Sequence, residues 1–396
     1  MSLVSHLECT RCGRHFEPGK IYNLCPCGSP LSVRYNLKPL ASAHVRERLA
    51  GRVPSLWRYR EVLPVAREES VVSLGEGFTP LIHARHLGEK LKIPNLYLKD
   101  ESFNPTGSFK ARGMAVAVSM ARELGIEKLA VSSAGNAGGA LAAYAAKAGL
   151  RALVFMPEDT PRLNQLECAL LGAEVVLVPG SIKDCARAMR ERVAAENWFD
   201  CSTLREPYRV EGKKTMAYEV YEQLHWRMPD VIIYPTGGGT GLVGMWKAFG
   251  EMQEMGWIEQ RRPKMVAVQS TGCAPIVRAF ASQKESADEW PEPKTIASGL
   301  RVPSAIGDFW MLRVLHESRG SALALDDRAM LGGMRELAET EGILTSPEGG
   351  AALAALRRLL TDGYIAGVET IVLFLTASGY KYVEPLAAIG ESVRRE

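Results

Sequence analysis

No stretch of this sequence is apolar for long enough to cross a bilayer. The longest such runs, "TIVLFLTA" at Thr370–Ala377 among them, fall far short of the roughly 20 residues a spanning helix needs. The opening residues, "MSLVSHLECTRC", lack the apolar centre of a secretory signal. A cytoplasmic location with no membrane partner is therefore expected. An excess of one charge is missing too. Lys and Arg number 48 against 45 Asp and Glu, a formal net of +3, with no basic run and no basic-aromatic stripe. That argues against nucleic acid as a partner. There is no short-period repeat and no low-complexity linker, so ordinary globular domains are expected. The 46% hydrophobic and 23% charged composition is enough for a sizeable core. At about 100–200 residues per domain, 396 residues allow two or three domains.

Cysteines in such a compartment stay reduced rather than pairing as disulfides. Four crowd near the start: Cys9 and Cys12 in "CTRCGRHF", Cys25 and Cys27 in "NLCPCGSPL". Two thiolate pairs on tight turns can converge on one tetrahedral Zn²⁺. The second pair has a single intervening residue, short of the usual ribbon spacing. A structural zinc site and a metal-free knuckle therefore both stay open. Cys168, Cys185, Cys201 and Cys273 are isolated, and buried structural thiols are the expectation for them.

From about Ser73 short apolar strands alternate with helices. "NLYLKDE", "KLAVSSAGN", "RALVFMP", "AEVVLVPG", "KMVAVQS" and "TIVLFLTASG" read as strands and the turns that follow them. "SFKARGMAVAVSMARELG", "AGGALAAYAAKAG" and "PRLNQLECALLG" have helical spacing and glycine stops. The alternation predicts a mainly parallel sheet covered on both faces. Ligands in such folds bind beyond the carboxyl ends of strands. Three strand ends carry small or polar residues: "SSAGNAGG", "PTGGGTG" and "TASG". The lysine-bearing "PTGSFKARG" follows a fourth. One pocket built from dispersed segments is expected. "SQKESADEWPEPK" at Ser282–Lys294 reads as an exposed loop.

In "DVIIYPTGGGTGLVGMWKAF" a glycine turn leads from a strand into a helix. Such a turn offers N–H groups and a helix N-terminus to an anion. A dinucleotide site would place an acidic residue at the end of the next strand, but "KMVAVQS" ends in Gln269 and Ser270. A phosphate monoester is the better fit.

In this order, these motifs resemble the fold-type II enzymes that use pyridoxal 5'-phosphate. The stretches "WRYREVLPV", "VVSLGEGFTPL", "LYLKDESFNPTGSFKARGM" and "PYRVEGKKTMAYEV" resemble the threonine synthases, and the likeness runs over essentially the whole chain. It implies an α/β fold with two doubly wound domains and a Cys-rich, zinc-ribbon-like module. Residues 1–38 would be the module, 39–112 with 206–396 a large cofactor-binding domain, and 113–205 a small mobile domain. Lys110 would form the Schiff base and act as the catalytic group. Gly237, Gly238, Gly239, Thr240 and Gly241 would hold the cofactor phosphate. Asn136 would lie beside the pyridine 3'-oxygen and Thr376 at the pyridine nitrogen. Ser133 with its following backbone would receive the substrate carboxylate, and Arg209 and Lys214 would serve a second phosphate. The implied reaction is a carbon–oxygen lyase step, from O-phospho-L-homoserine and water to L-threonine and phosphate, in a homodimer.

The chemistry agrees with these roles. An amine attacks an aldehyde only when neutral, so a partly buried lysine is favoured as the nucleophile. Exposed lysines are the norm, so a solvated helix start is the other reading of Lys213 and Lys214. Three positions depart from the family pattern. Ala111 stands where an acid is usual, Ala137 where a threonine helps hold substrate phosphate, and "STLREPYR" where Asn-Ser precedes the "PYR". Hydrogen bonds to charged groups contribute roughly 1.5–3 kcal/mol each, so the change at Ala137 bears on the substrate rather than the cofactor. "SPEGGAALAAL" at Ser346–Leu356 resembles serine/threonine ammonia-lyases, with Glu348 near the pocket. The alternative is therefore a pyridoxal-phosphate ammonia-lyase or β-replacement enzyme acting on serine, threonine or another hydroxy- or phospho-amino acid.

Overall fold

The computed structural model describes residues 2–390. Its strands are β1 (Val4–Cys9), β2 (His15–Phe16), β3 (Leu31–Tyr35), β4 (Leu81–His83), β5 (Leu96–Asp100), β6 (Lys128–Ser132), β7 (Arg151–Pro157), β8 (Glu174–Val178), β9 (Phe199–Asp200), β10 (Val231–Pro235), β11 (Lys264–Ser270), β12 (Ser321–Leu325) and β13 (Ile371–Leu375). The helices are α1 (Ala43–Leu49), α2 (Arg85–Leu91), α3 (Lys110–Glu123), α4 (Asn136–Ala148), α5 (Arg162–Leu170), α6 (Ile182–Glu196), α7 (Tyr208–Gln223), α8 (Thr240–Glu254), α9 (Pro275–Ala281), α10 (Asp308–Glu317), α11 (Asp327–Glu341), α12 (Pro347–Thr361) and α13 (Val383–Ile389). Among the described residues no helix is long and apolar enough to cross a membrane.

The chain divides into two compact units. One comprises Met1–Phe78, Asn104–Tyr218 and Gly244–Glu259, and the other Thr79–Phe103, Glu219–Val243 and Gln260 onwards.

In the second unit the sheet runs β12-β11-β10-β13-β5-β4, parallel except for β4 at the edge. "VIIYP" of β10 and "IVLFL" of β13 are buried along their whole length. Such unbroken apolar runs are what a strand covered on both faces requires. From β10 the chain proceeds outward through β11 to β12, while β13 lies on the other side of β10. The strand order therefore reverses between β10 and β13, and loops leaving there diverge into a crevice. In the first unit β8-β7-β6-β9 is also parallel, and its order reverses between β6 and β9. Both sheets match the doubly wound expectation.

The Cys-rich segment forms an antiparallel β2-β1-β3 sheet in the first unit. It is docked there by side chains that carry no motif. Asn23 Nδ2 donates to the carbonyls of Asp200 and Arg205, and the Tyr35 hydroxyl donates to Glu211 at 2.7 Å. Cys168, Cys185, Cys201 and Cys273 are fully buried, as expected of structural thiols.

Candidate active site

Within the second unit, the crevice beyond β10 and β13 brings together two of the expected cofactor groups. The turn after β10 leads into α8 at Thr240. Gly239 has φ +81°, a conformation that favours glycine. A Cβ at Gly237 would run into the Gly299 carbonyl, one at Gly239 into Met311, and one at Gly241 into the Tyr234 hydroxyl. Glycine is therefore required by close packing as well as by backbone shape. The turn stands at the N-terminus of a 15-residue helix, whose dipole and N–H groups suit a phosphate. Thr376, only 3% exposed, is the first residue beyond the neighbouring strand β13. A phosphate cradle with a buried hydroxyl on the adjacent strand fits a phosphorylated pyridine.

The same crevice holds Glu348, expected near the pocket, together with partners that no motif identified. Glu348 Oε1 accepts from Gly299 N at 2.7 Å and from the Tyr382 hydroxyl at 3.2 Å. Since Gly299 abuts Gly237, Glu348 buttresses the phosphate turn at one remove. Ser346 does not cap α12 with its side chain. Its N–H donates to the Ala377 carbonyl, next to Thr376. Nothing in "TIASGLRVP" signals that Gly299 meets the glycine turn; only the chain's return across the sheet places it there.

Within the first unit, Lys110 opens α3. It is half-buried, with its Nζ 4.0 Å from the centroid of the Phe109 ring. From Ala111 to Ala121 the helix is buried. Ala111 itself is fully buried, and an acid there would need a partner. Asn136 opens α4. The Ser133 hydroxyl accepts from the N–H groups of Gly135 and Gly138 at 3.3 and 3.2 Å. It is thus engaged in shaping the turn into α4.

Arg209, in the first turn of α7, is 1% exposed and donates through Nη1 to the Cys201 carbonyl at 2.7 Å. Burial lowers its pKa, and the nearby Glu206 opposes that. Glu206 is itself pushed up to about 7 by burial, even though it accepts from the N–H groups of Tyr208 and Arg209. The alternative reading of Lys213 and Lys214 as a solvated helix start is overturned, since both are 0% exposed.

Lys214, expected to serve a second phosphate, sits in a buried ionic quartet. Its ammonium pairs with Glu211 at 2.7 Å and Glu251 at 2.9 Å, and Lys247 pairs with the same two carboxylates. Tyr35 and Tyr218 donate to the quartet from either side. Burial alone would raise Glu251, yet Lys214 and Lys247 hold it below the usual carboxylate range. The quartet ties the Cys-rich sheet to α7 and α8.

The four N-terminal sulfurs all lie within 4.8 Å of one another. Cys9 Sγ is 3.5 Å from Cys27 Sγ, and Cys12 Sγ is 3.6 Å from Cys25 Sγ. Tetrahedral zinc with Zn–S near 2.3 Å separates its sulfurs by about 3.8 Å, so the cluster fits the metal despite the one-residue spacing of the second pair. His6, Glu8 and His15 also gather on this sheet, but Arg34 occupies Glu8 at 2.6 Å. One zinc per chain is the expected content of purified protein by atomic absorption. Cys12→Ser should lower it several-fold and lower thermal stability. Protein purified without chelators and holding less than about a tenth equivalent of zinc would favour the metal-free knuckle.

Comparison with known proteins places these groups in context. The model of the family described as "Pyridoxal-phosphate dependent enzyme" matches residues 72–377. The threonine synthase of Methanocaldococcus jannaschii is 37% identical over 386 residues, covering 97% of this chain and 94% of that protein. The threonine synthase of Methanosarcina acetivorans is 36% identical, covering 97% and 93%. Among solved structures, maize serine racemase superposes with a TM-score of 0.68 at 20% identity, covering 79% of this chain and 92% of that one. At that identity the likeness speaks to the fold alone.

Proposed function

Because the chain belongs to the pyridoxal-phosphate dependent enzymes and, within them, to the threonine synthases, we propose that it converts O-phospho-L-homoserine and water into L-threonine and phosphate. The observation that carries this reading is the reach of the likeness, 37% identity over 97% of the chain. Pyridoxal phosphate, when bound, supplies an electron sink for a carbanion at the substrate's Cα.

The remaining work belongs to the chain's own residues. Gly237, Gly238, Gly239, Thr240 and Gly241 hold the cofactor phosphate through backbone N–H groups and the positive end of α8. Asn136 would hold the 3'-oxygen side of the ring, and Thr376 would offer the ring nitrogen a hydroxyl rather than an acid. Lys110 would anchor the cofactor through its amine, and the same amine would be the group that removes the Cα proton and moves protons at Cβ. The turn from Ser133 to Asn136 receives the substrate carboxylate at the N-terminus of α4. Arg209 receives the phosphate that leaves from Cγ, and water adds at Cβ.

The test is incubation of the purified holoenzyme with O-phospho-L-homoserine, with phosphate and threonine assayed separately. Equal amounts of both are expected, from fractions eluting at the mass of a dimer. Phosphate no higher than the blank would remove the reading. Ammonia and a ketoacid from serine or threonine would favour the ammonia-lyase instead.

A further inference from the structure

Gly113 and Gly212 mark a close crossing of α3 and α7. A Cβ at Gly212 would strike the Arg112 carbonyl. One at Gly113 would lie 2.9 Å from Lys213 Cε, 3.0 Å from the Arg209 carbonyl and 3.3 Å from Arg209 Cβ. The two glycines thus let the helix that opens with Lys110 press against the face of α7 that carries Arg209 and Lys213. Those two residues are four apart, so their side chains leave α7 on one face.

Three observations converge there. The Lys213 ammonium lies 3.9 Å from the Phe109 ring centroid, and the Lys110 amine lies 4.0 Å from the same centroid. The two nitrogens are therefore separated by no more than twice that distance. Arg209 Nε is buried and has no hydrogen-bond acceptor among the described residues. A buried guanidinium N–H without an acceptor is rare, and it points to a group that the protein alone does not supply. Water is excluded from both cations, so an anion seated against them would meet two charged donors in a dry setting, where such bonds are strong.

The geometry points to Lys213 as the second cation of an anion seat, set one helical turn from Arg209, that takes the phosphate monoester of the substrate. This rests on the reading of the substrate as a phospho-amino acid. The distances suit it. Lys110 works at Cα and Cβ, and phosphorus follows Cα by only the bonds Cα–Cβ–Cγ–O–P. The seat must therefore lie within a few bond lengths of the Lys110 amine, as the shared Phe109 ring requires. Lys213 touches the substrate's leaving group in this arrangement and does not act as an acid or base. Arginine at 213 would restore the charge, whereas methionine keeps the stem without it.

The experiment compares wild-type holoenzyme with Lys213→Met, Lys213→Gln and Lys213→Arg. Each is titrated calorimetrically with inorganic phosphate, and KM and kcat are measured with O-phospho-L-homoserine. Loss of one charged donor should weaken phosphate binding and raise KM by about tenfold or more in the Met and Gln variants. The cofactor's visible absorbance should be unchanged, and Lys213→Arg should recover part of the loss. A purely structural lysine would instead lower cofactor content and stability in all three variants, with KM intact. Phosphate affinity and KM both within twofold of wild type in Lys213→Met or Lys213→Gln would overturn the seat. If the wild type releases no threonine yet its phosphate binding depends on Lys213, the seat stands and the substrate reading falls.

Discussion

Replacing Lys110 with alanine lowers turnover by about a thousandfold or more, roughly 4 kcal/mol of barrier. The motif points to Lys110, and other buried lysines are held by carboxylates. A lysine reacts with an aldehyde only as the neutral amine, and a carboxylate partner keeps it protonated. Lys99 is fully buried and bonds Glu219 at 2.7 Å, the Thr79 carbonyl at 2.7 Å and Gln223 at 2.9 Å. Lys214 and Lys247 are held by Glu211 and Glu251. Lys213 is wholly buried, whereas Lys110 is half-open at the start of its helix. The glycine turn does not depend on Lys110, so the variant should still bind the cofactor, more weakly and without the absorbance of the lysine-bound form. Borohydride reduction of the wild type followed by peptide mass mapping should place the label on Lys110. A label on another lysine, or a tenth of the activity surviving in Lys110→Ala, would contradict the assignment.

The largest effect on stability is expected at Glu211. Glu211→Ala leaves Lys214 and Lys247 sharing Glu251 alone and strips the Tyr35 hydroxyl of its acceptor. Removing one member of a buried ionic network typically costs about 3–5 kcal/mol, because the remaining charge stays buried and uncompensated. The midpoint of denaturant unfolding measures it. Removing both charges of a pair, as in Glu211→Leu with Lys214→Met, should cost less than Glu211→Ala alone. A loss below about 1 kcal/mol for Glu211→Ala would mean that water reaches the quartet. The sign with pH follows from Glu251, whose folded pKa is depressed. Its contribution is fully present above the ordinary value of 4.5 and is lost as acid takes the pH through the lowered one.

The doubly wound fold was legible because its signal is local. Unbroken apolar runs such as "IVLFL", stopped by small residues and followed by helical spacing, leave a parallel sheet as the only arrangement that buries both faces. The glycine turn was legible for a related reason: glycine at 237, 239 and 241 answers to close approach, and at 239 to backbone shape as well. Lys213 and Lys214 were not legible. Adjacent lysines on a helix point in different directions, and what each meets depends on elements far away in the chain. Lys214 meets Glu251 across 37 residues, and Lys213 meets the ring of Phe109. Glu348 was expected near the pocket, but its partner Gly299 lies 49 residues earlier in a stretch without a motif.

By itself the sequence determined the fold class, the lysine at the head of α3, the glycine turn and the two cysteine pairs. Each of these is written in spacing and residue type within a short window. Only the tertiary structure decided which polar side chains are solvated and which are buried in partnership. Burial is a property of the assembled layers, and a charged residue carries no local mark of the partner that will neutralise it.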